Sequence, residues 1–349
     1  MKCTIQNIAD HLGLSRNTVS KALKNSSEVS ENTRNLVIKT ASKLGYKNAT
    51  FATPVIPASE TGSNGTILFL TRTYASDSEF WTTVLRGIES ILSNANYHLA
   101  ISIMSNSDLK QLNFPQTISD SSIKGIILVE ICDKVVCDAL SQFNLPIVSV
   151  DMPNVPFEEL NGIDVVTMES KKNLKKIINQ LIEKGAESFG FVGDLYSPNV
   201  SRGFQERYNA LSECLAEHQL PLNQKNCLLH QTPEDFRNFQ TTVNNLQAMI
   251  SLPDVFICGN DWTAIQLIYA LQFLGFQIPK DICVVGFDNI PAASRISPSL
   301  TTISTPQKYL GIAAARQILE RIQHPNCPHV FCQYETELII RNSTNITSF

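Results

Sequence analysis

The most regular hydrophobic pattern lies at the start of the chain. Ile5, Ile8, Ala9 and Leu12 recur at the i, i+3, i+4, i+7 spacing of one helix face behind Thr4, whose hydroxyl suits an N-cap, and Gly13 closes the helix. Ser15 caps a second helix in which Val19, Ala22 and Leu23 face inward while Arg16, Asn17, Ser20 and Lys21 point elsewhere. Two short helices about a Gly-centred turn make a helix-turn-helix. A third helix opens at Ser30, carries Leu36, Val37, Ala41 and Leu44 on one side, and stops at Gly45, which predicts a three-helix core.

From Lys47 to Gly65 the periodicity ends in a Pro-, Ser-, Thr- and Gly-containing stretch that reads as a linker. Short apolar runs then alternate with amphipathic stretches. The runs at 66–70, 98–104, 125–131, 146–150, 188–193, 254–259 and 282–288 predict strands, and the stretches near 80–94, 171–184, 200–218, 239–250, 263–274 and 309–322 predict helices. Such β-then-α alternation implies parallel sheets with right-handed crossovers, so the fold class is α/β behind an all-α head. At 349 residues and 43% hydrophobic content the chain exceeds one compact core. The expected domains are 1–47 (head), 48–65 (linker), 66–341 (body of two lobes) and 342–349 (tail).

Charge sharpens this division. Residues 1–50 hold eight Lys or Arg against three acids, a balance of +5, which leaves −9 for the other 299 residues from the total of −4. A basic head on an acidic body suits a module that neutralises phosphate joined to one that does not touch it. Nine cysteines are scattered along the chain. The closest pairs, Cys132 with Cys137 and Cys327 with Cys332, lack CxxC spacing, so reduced thiols and no metal site are expected. The first thirty residues lack an apolar signal core and no run of eighteen apolar residues occurs, so the expectation is a cytoplasmic protein that does not span a membrane.

The segment TIQNIADHLGLSRNTVSKALKNSSEVSENTRNLVIKTASKLGY, from Thr4 to Tyr46, resembles the DNA-binding head of the LacI/GalR (lactose and galactose repressor) family without a gap. The resemblance implies that Arg16, Asn17 and Lys21 read base edges. Arg and Lys can donate to guanine O6 and N7, and Asn can pair with adenine N6 and N7. Thr18, Ser20, Asn25 and Ser30 suit phosphate contacts, which set register. Where the family carries a hinge helix with a Leu wedge, this chain has Thr53, Pro54 and Val55. Val55 is the candidate wedge, and Pro54 opposes a full helix.

The body resembles the same family in several segments, which imply two lobes of the periplasmic sugar-binding kind, with the chain crossing between them near residues 165, 291 and 325. DSEFWTTVLRGIE brings Phe80 and Trp81 forward as flat platforms, and ERYNAL brings Arg207, although Ala210 and Leu211 replace the family's Gly-Phe pair. CGNDWTAIQLIYAL brings Asn260, VVGFDNIPAASRISPSLTTISTP brings Asp288, and VSVDMP brings Asp151. Ligands of open α/β sheets sit at strand carboxyl ends, where these residues fall. Carboxylates that accept hydroxyl protons, an Arg and an Asn that donate, and an aromatic face suit a polyol. A nucleoside or purine could use nearly the same set, and the Asp residues could instead be turn or capping groups.

No GxGxxG, P-loop, HExxH or GxSxG occurs, so an enzyme is not expected and no cofactor is implied. The expected protein is a homodimeric regulator, reading an inverted-repeat operator in double-stranded DNA and answering to a sugar or sugar phosphate. The chain runs to Phe349, and a tetramerising coiled coil is not expected. A solute-binding module and a sugar-modifying enzyme are the alternatives from other classes.

Overall fold

A computed structural model describes residues 4–23, 29–30, 33, 36–37, 40–41, 63–72, 78–195, 201–230 and 238–346. The chain divides into two compact units, Met1–Gly62 and Ser63–Phe349. Asn25, Pro54 and Val55 lie outside the described residues.

In the first unit, helix α1 spans Ile5–Leu12 and α2 spans Arg16–Leu23. Thr4 caps α1 reciprocally: its Oγ1 accepts from Asn7 N at 3.3 Å and its own N donates to Asn7 Oδ1 at 2.9 Å. Gly13 takes a left-handed φ of 64°, which turns the chain into α2. There Ser15 Oγ accepts from Thr18 N at 3.0 Å. Thr33, Leu36, Val37, Thr40 and Ala41 are helical, and Ile8, Ala9, Val19, Ala22, Val29, Val37 and Ala41 form the core. Leu36, expected inside, is half exposed, because Val37 and Ala41 already define the inward face and Leu36 sits one residue, about 100°, off it.

The second unit has two sheets. Strands β1 (Thr66–Thr71), β2 (His98–Ile103), β3 (Ile123–Val129), β4 (Ile147–Val150), β5 (Asp164–Met168) and β11 (Phe331–Tyr334) form the first. Its order is β11-β5-β4-β3-β1-β2, parallel throughout. The second holds β6 (Phe189–Asp194), β7 (Leu228–His230), β8 (Val255–Cys258), β9 (Cys283–Asp288), β10 (Thr301–Ser304) and β12 (Glu337–Ile339). Its order is β12-β10-β9-β8-β6-β7, parallel except where β12 runs against β10.

Helices α3 (Glu79–Leu92), α4 (Asn106–Gln111), α5 (Lys134–Leu140) and α10 (Gln307–Gln323) belong to the first lobe. Helices α6 (Lys172–Glu183), α7 (Arg202–Glu217), α8 (Phe239–Ala248) and α9 (Asp261–Phe273) belong to the second. The chain therefore crosses between lobes at 169–171, 305–306 and 335–336, not near 165, 291 and 325. The displacement follows from strands that apolar runs do not reveal: β5, β10 and β11 each extend a lobe past the expected crossing.

A buried ion pair fixes the far edge of the first lobe. Asp164, fully buried at the start of β5, accepts from Arg321 Nη2 at 2.8 Å and Nε at 3.0 Å, from Gln317 Nε2 at 3.0 Å and from Val330 N at 2.8 Å. Burial pushes its carboxyl up, and the Arg321 and Val330 donors more than offset that and hold it below the usual range.

Candidate functional site

In the head, Ser15, Asn17, Thr18, Lys21, Val29, Ser30 and Thr33 line a polar concavity of about 300 Å³. Two caps build its wall. Ser15 Oγ lies 2.8 Å from Thr18 Oγ1, and Ser30 Oγ lies 2.8 Å from Thr33 Oγ1. Arg16 and Asn17 are exposed on the first turn of α2, and Thr18, Ser20 and Lys21 are half-buried. Asn17, Thr18, Lys21 and Ser30 thus converge, while Arg16 and Ser20 do not line the concavity. Ser15 and Thr33 were passed over as site residues, although their hydroxyls at helix starts were visible.

In the body, the facing strand ends bring together residues from both lobes. Asp151 ends β4 in the first lobe, and Arg207 on α7 and Asp288 at the end of β9 belong to the second. Arg207 is buried, its guanidinium carbon lies 3.7 Å from the Phe287 ring centroid and 5.0 Å from that of Phe204, and its Nη1 donates to Gly259 O at 2.7 Å. Its Nε is buried without a partner among the described residues. Burial lowers the guanidinium's affinity for its proton, while Asp288 first and Asp151 second sustain its charge.

The carboxyls show the converse. Burial pushes Asp288 well above the usual carboxylate range against the pull of Arg207. It likewise raises Asp151, against Met152 N, which donates to Asp151 Oδ1 at 2.8 Å, and against Arg207. Both sit in left-handed backbone, with φ of 73° at Asp151 and 116° at Asp288. The Asp288 carbonyl accepts from Gln307 Nε2 at 2.7 Å and from Thr305 Oγ1 at 3.2 Å, which ties it to the crossing at 305–306.

Asn260 caps α9, its Oδ1 accepting from Thr263 N at 2.8 Å, so its Nδ2 is the group turned to other uses. Asp261 beside it is structural. Its oxygens accept from Thr302 Oγ1 at 2.5 Å and Ile290 N at 2.9 Å, and burial raises its pKa to about 7. Trp81 is half-buried on the first turn of α3 and donates from Nε1 to Glu130 Oε1 at 2.5 Å. Phe80, expected as a second platform, is buried in the lobe core and meets the Trp81 ring edge-on at 4.6 Å. It supports the indole and presents no open face.

The lobes touch beside this cluster. Arg202 N donates to Met152 O at 2.9 Å, Pro153 bridges Ser201, and Ala292 N donates to Glu79 Oε2 at 3.4 Å. Among the described residues no helix is long and apolar enough to cross a membrane. The Cys137 thiol, buried in the first-lobe core under α5, is pushed up to about 12 by burial, so it is inert at neutral pH.

A helix-turn-helix head and a two-lobed α/β body with a polar cleft define a DNA-binding regulator with a ligand-binding sensor. Residues 4–48 match bacterial regulatory proteins of the lacI family, and residues 178–344 match the periplasmic binding protein-like domain. The chain thus carries a lacI-family DNA-binding segment and a periplasmic binding protein-like domain, and the relatives it resembles are transcriptional repressors rather than enzymes. It is 26% identical to the HTH-type transcriptional repressor PurR of Photobacterium profundum over 97% of this chain and 98% of that one. It is 27% identical to the ribose operon repressor of Haemophilus influenzae, again over 97% and 98%. Among solved structures, the transcriptional regulator CelR with cellobiose superposes at TM-score 0.69 with 19% identity over 98% of this chain and 100% of that one. The lac repressor dimer bound to operator superposes at 0.67 with 18% identity over 99% of each.

Proposed function

We propose that this chain is a cytoplasmic homodimeric repressor of a carbohydrate-utilisation operon, with an affinity for an inverted-repeat operator set by a sugar or sugar phosphate held between its lobes. The reading of the head rests on the convergence of Asn17, Thr18, Lys21 and Ser30 around one polar concavity. Arg16, Asn17 and Lys21 read bases, and the hydroxyls bind phosphate. Asn25 and Val55 keep their roles as phosphate contact and minor-groove wedge.

The observation that carries the effector half is Arg207. A guanidinium stacked on Phe287, with a buried Nε unpaired among the described residues, stands between Asp288 and Asp151 of opposite lobes, whose carboxyls burial disfavours in the charged form. Sugar hydroxyls donate to those carboxyls and accept from Arg207 and Asn260, while Trp81 covers the apolar ring face. The ribose operon repressor among the relatives and the cellobiose-bound structural neighbour favour a sugar. A dimer is supported by the exposed Trp262, Tyr269 and Phe273, spaced along one face of α9, with Phe239 meeting Phe273 edge-on at 5.9 Å.

Gel shifts on fragments of the adjoining promoter at two salt concentrations test this reading. Expected are retention against random competitor DNA and a steep loss of affinity with salt. Asp288→Ala or Arg207→Ala should keep operator binding and lose the response to sugar. Loss of operator binding with unchanged sugar affinity would contradict the placement of the effector.

A further inference from the structure

The start of α7 is pinned to the opposite lobe. Arg202, the first residue of that helix in the second lobe, donates from its backbone N to Met152 O at 2.9 Å, and Ser201 before it faces Pro153 across an antiparallel bridge. Its side chain reaches further into the first lobe. The guanidinium carbon lies 5.4 Å from the centroid of the Phe331 ring on β11, and Nη1 lies 3.7 Å from Met152 Sδ. Nε donates to Glu206 Oε1 at 2.8 Å, one turn along α7, which fixes the direction of the guanidinium. Phe331 is itself braced by Phe157, whose ring lies 5.5 Å away at 52°.

A ring face attracts a half-exposed cation by a factor of only about 2 to 5, and a thioether is a weak acceptor. Contacts of that strength bias an equilibrium between two arrangements of the lobes and leave a ligand able to override them. The position suits such a role. Strand β11 runs into the crossing at 335–336, Met152 follows Asp151, and α7 carries Arg207 five residues beyond Arg202.

We propose that Arg202 is an inter-lobe latch: it holds the start of α7 on the first lobe in the empty protein, and so sets how much of the population already has its lobes joined when an effector arrives. The proposal rests on the effector reading above and adds to it a regulatory contact that lies between lobes rather than on the ligand. A ligand between the lobes favours the joined arrangement, and its apparent affinity scales with the fraction of molecules already in it. Releasing the latch therefore weakens the effector. It also moves the empty protein away from the liganded arrangement, so operator affinity shifts in the sense opposite to the shift that effector causes. Saturating effector cancels the change.

In the full-length protein, Phe331→Leu removes the ring, and Arg202→Lys keeps the charge but loses the planar face. Hydrogen exchange of the empty protein reads the latch directly. Phe331→Leu, distant in sequence from α7, should speed exchange of residues 201–205 about 2- to 5-fold, and Arg202→Lys should do the same for residues 151–155, with β1 and β8 unchanged. Phe331→Tyr, which keeps a ring, should restore native exchange. Fluorescence anisotropy on operator, with D-ribose, D-glucose and cellobiose as probes, reads the consequence. Both variants should bind the sugar that the native protein answers to about 2- to 5-fold more weakly, shift empty-state operator affinity in the sense opposite to sugar, and match the native protein at saturation. The double variant should equal either single one, since both break the same contact.

Unchanged exchange at both segments overturns the proposal. So does a double variant that loses as much as the two single variants combined. Faster exchange across β1 and β8, with a lower thermal midpoint and an operator loss that saturating sugar does not restore, makes the contact a support of the fold and also overturns it. If no sugar changes operator affinity in the native protein while exchange responds as expected, the sugar reading falls and the latch stands.

Discussion

Asp261 and Asn260 are neighbours in sequence and opposite in use. Asn260 caps a helix through its Oδ1, while Asp261 spends both oxygens on Thr302 and Ile290. Burial raises Asp261 to about 7 from an ordinary 3.8, so the folded body keeps a proton that the unfolded chain has released. The native state binds more protons across that window, and this contribution to stability, complete below the unfolded value, is lost as pH rises through the folded one. Asp288 and Asp151, also raised by burial, act with the same sign. Asp261→Asn keeps an acceptor for Ile290 N, donates to Thr302 Oγ1, and removes the titration. Between about pH 5 and 8 its unfolding free energy should fall less than that of the native sequence, by about 2–3 kcal/mol. Identical pH slopes by denaturant unfolding would show that Asp261 is not the titrating group. In the head, alanine at Asn17 or Lys21 should cost about 1–3 kcal/mol on the operator and far less on random DNA, by competition gel shift. Equal losses on both DNAs would assign these residues to phosphate. The gathering of Asp151, Arg207 and Asp288 at facing strand ends was legible from strand-end position and segment resemblance. The burial of Phe80 was not, because an aromatic at a helix start can face either way.

At the scale of elements, expected strands with continuous apolar runs, such as β1, β3 and β9, were found within a few residues. Those that escaped are short or polar. Strand β10 is TTIS, and its threonines are buried only because Ser343, Thr344 and Asp261 pair with their hydroxyls and amides. Strand β5 begins on Asp164, a charge that periodicity assigns to solvent and that Arg321, distant in sequence, makes a core residue. Long-range polar pairing is not written in local pattern. The contact between α3 and α10 has a similarly hidden condition. A Cβ on Gly311 would lie 2.0 Å from Val84 O, and one on Gly87 2.3 Å from Lys308 O, so the helix backbones touch through both glycines. Gly311→Ala should therefore destabilise the body by about 2–3 kcal/mol, since the obstructing atom is backbone and cannot rotate away. A urea midpoint equal to that of the native sequence would show that the helices separate at little cost.

For the whole molecule, the effector cluster and the crossing segments share atoms. The Asp288 carbonyl is held by Thr305 and Gln307, and Glu169 N donates to Tyr334 O at 2.8 Å, which links two crossings to each other. A ligand that draws Asp288 and Asp151 together acts beside the segments where the chain crosses between the lobes. On the proposed reading effector occupancy acts on the heads through these segments, and by linkage operator and effector must then change each other's affinity by one common factor, typically worth about 1–3 kcal/mol. The most direct measurement is operator affinity by fluorescence anisotropy, with and without saturating sugar, paired with sugar affinity with and without operator. The account predicts equal fold-changes in the two titrations, about 5- to 150-fold, both abolished by Asp288→Ala. Sugar binding that leaves operator affinity unchanged, with operator likewise silent on sugar, would contradict it.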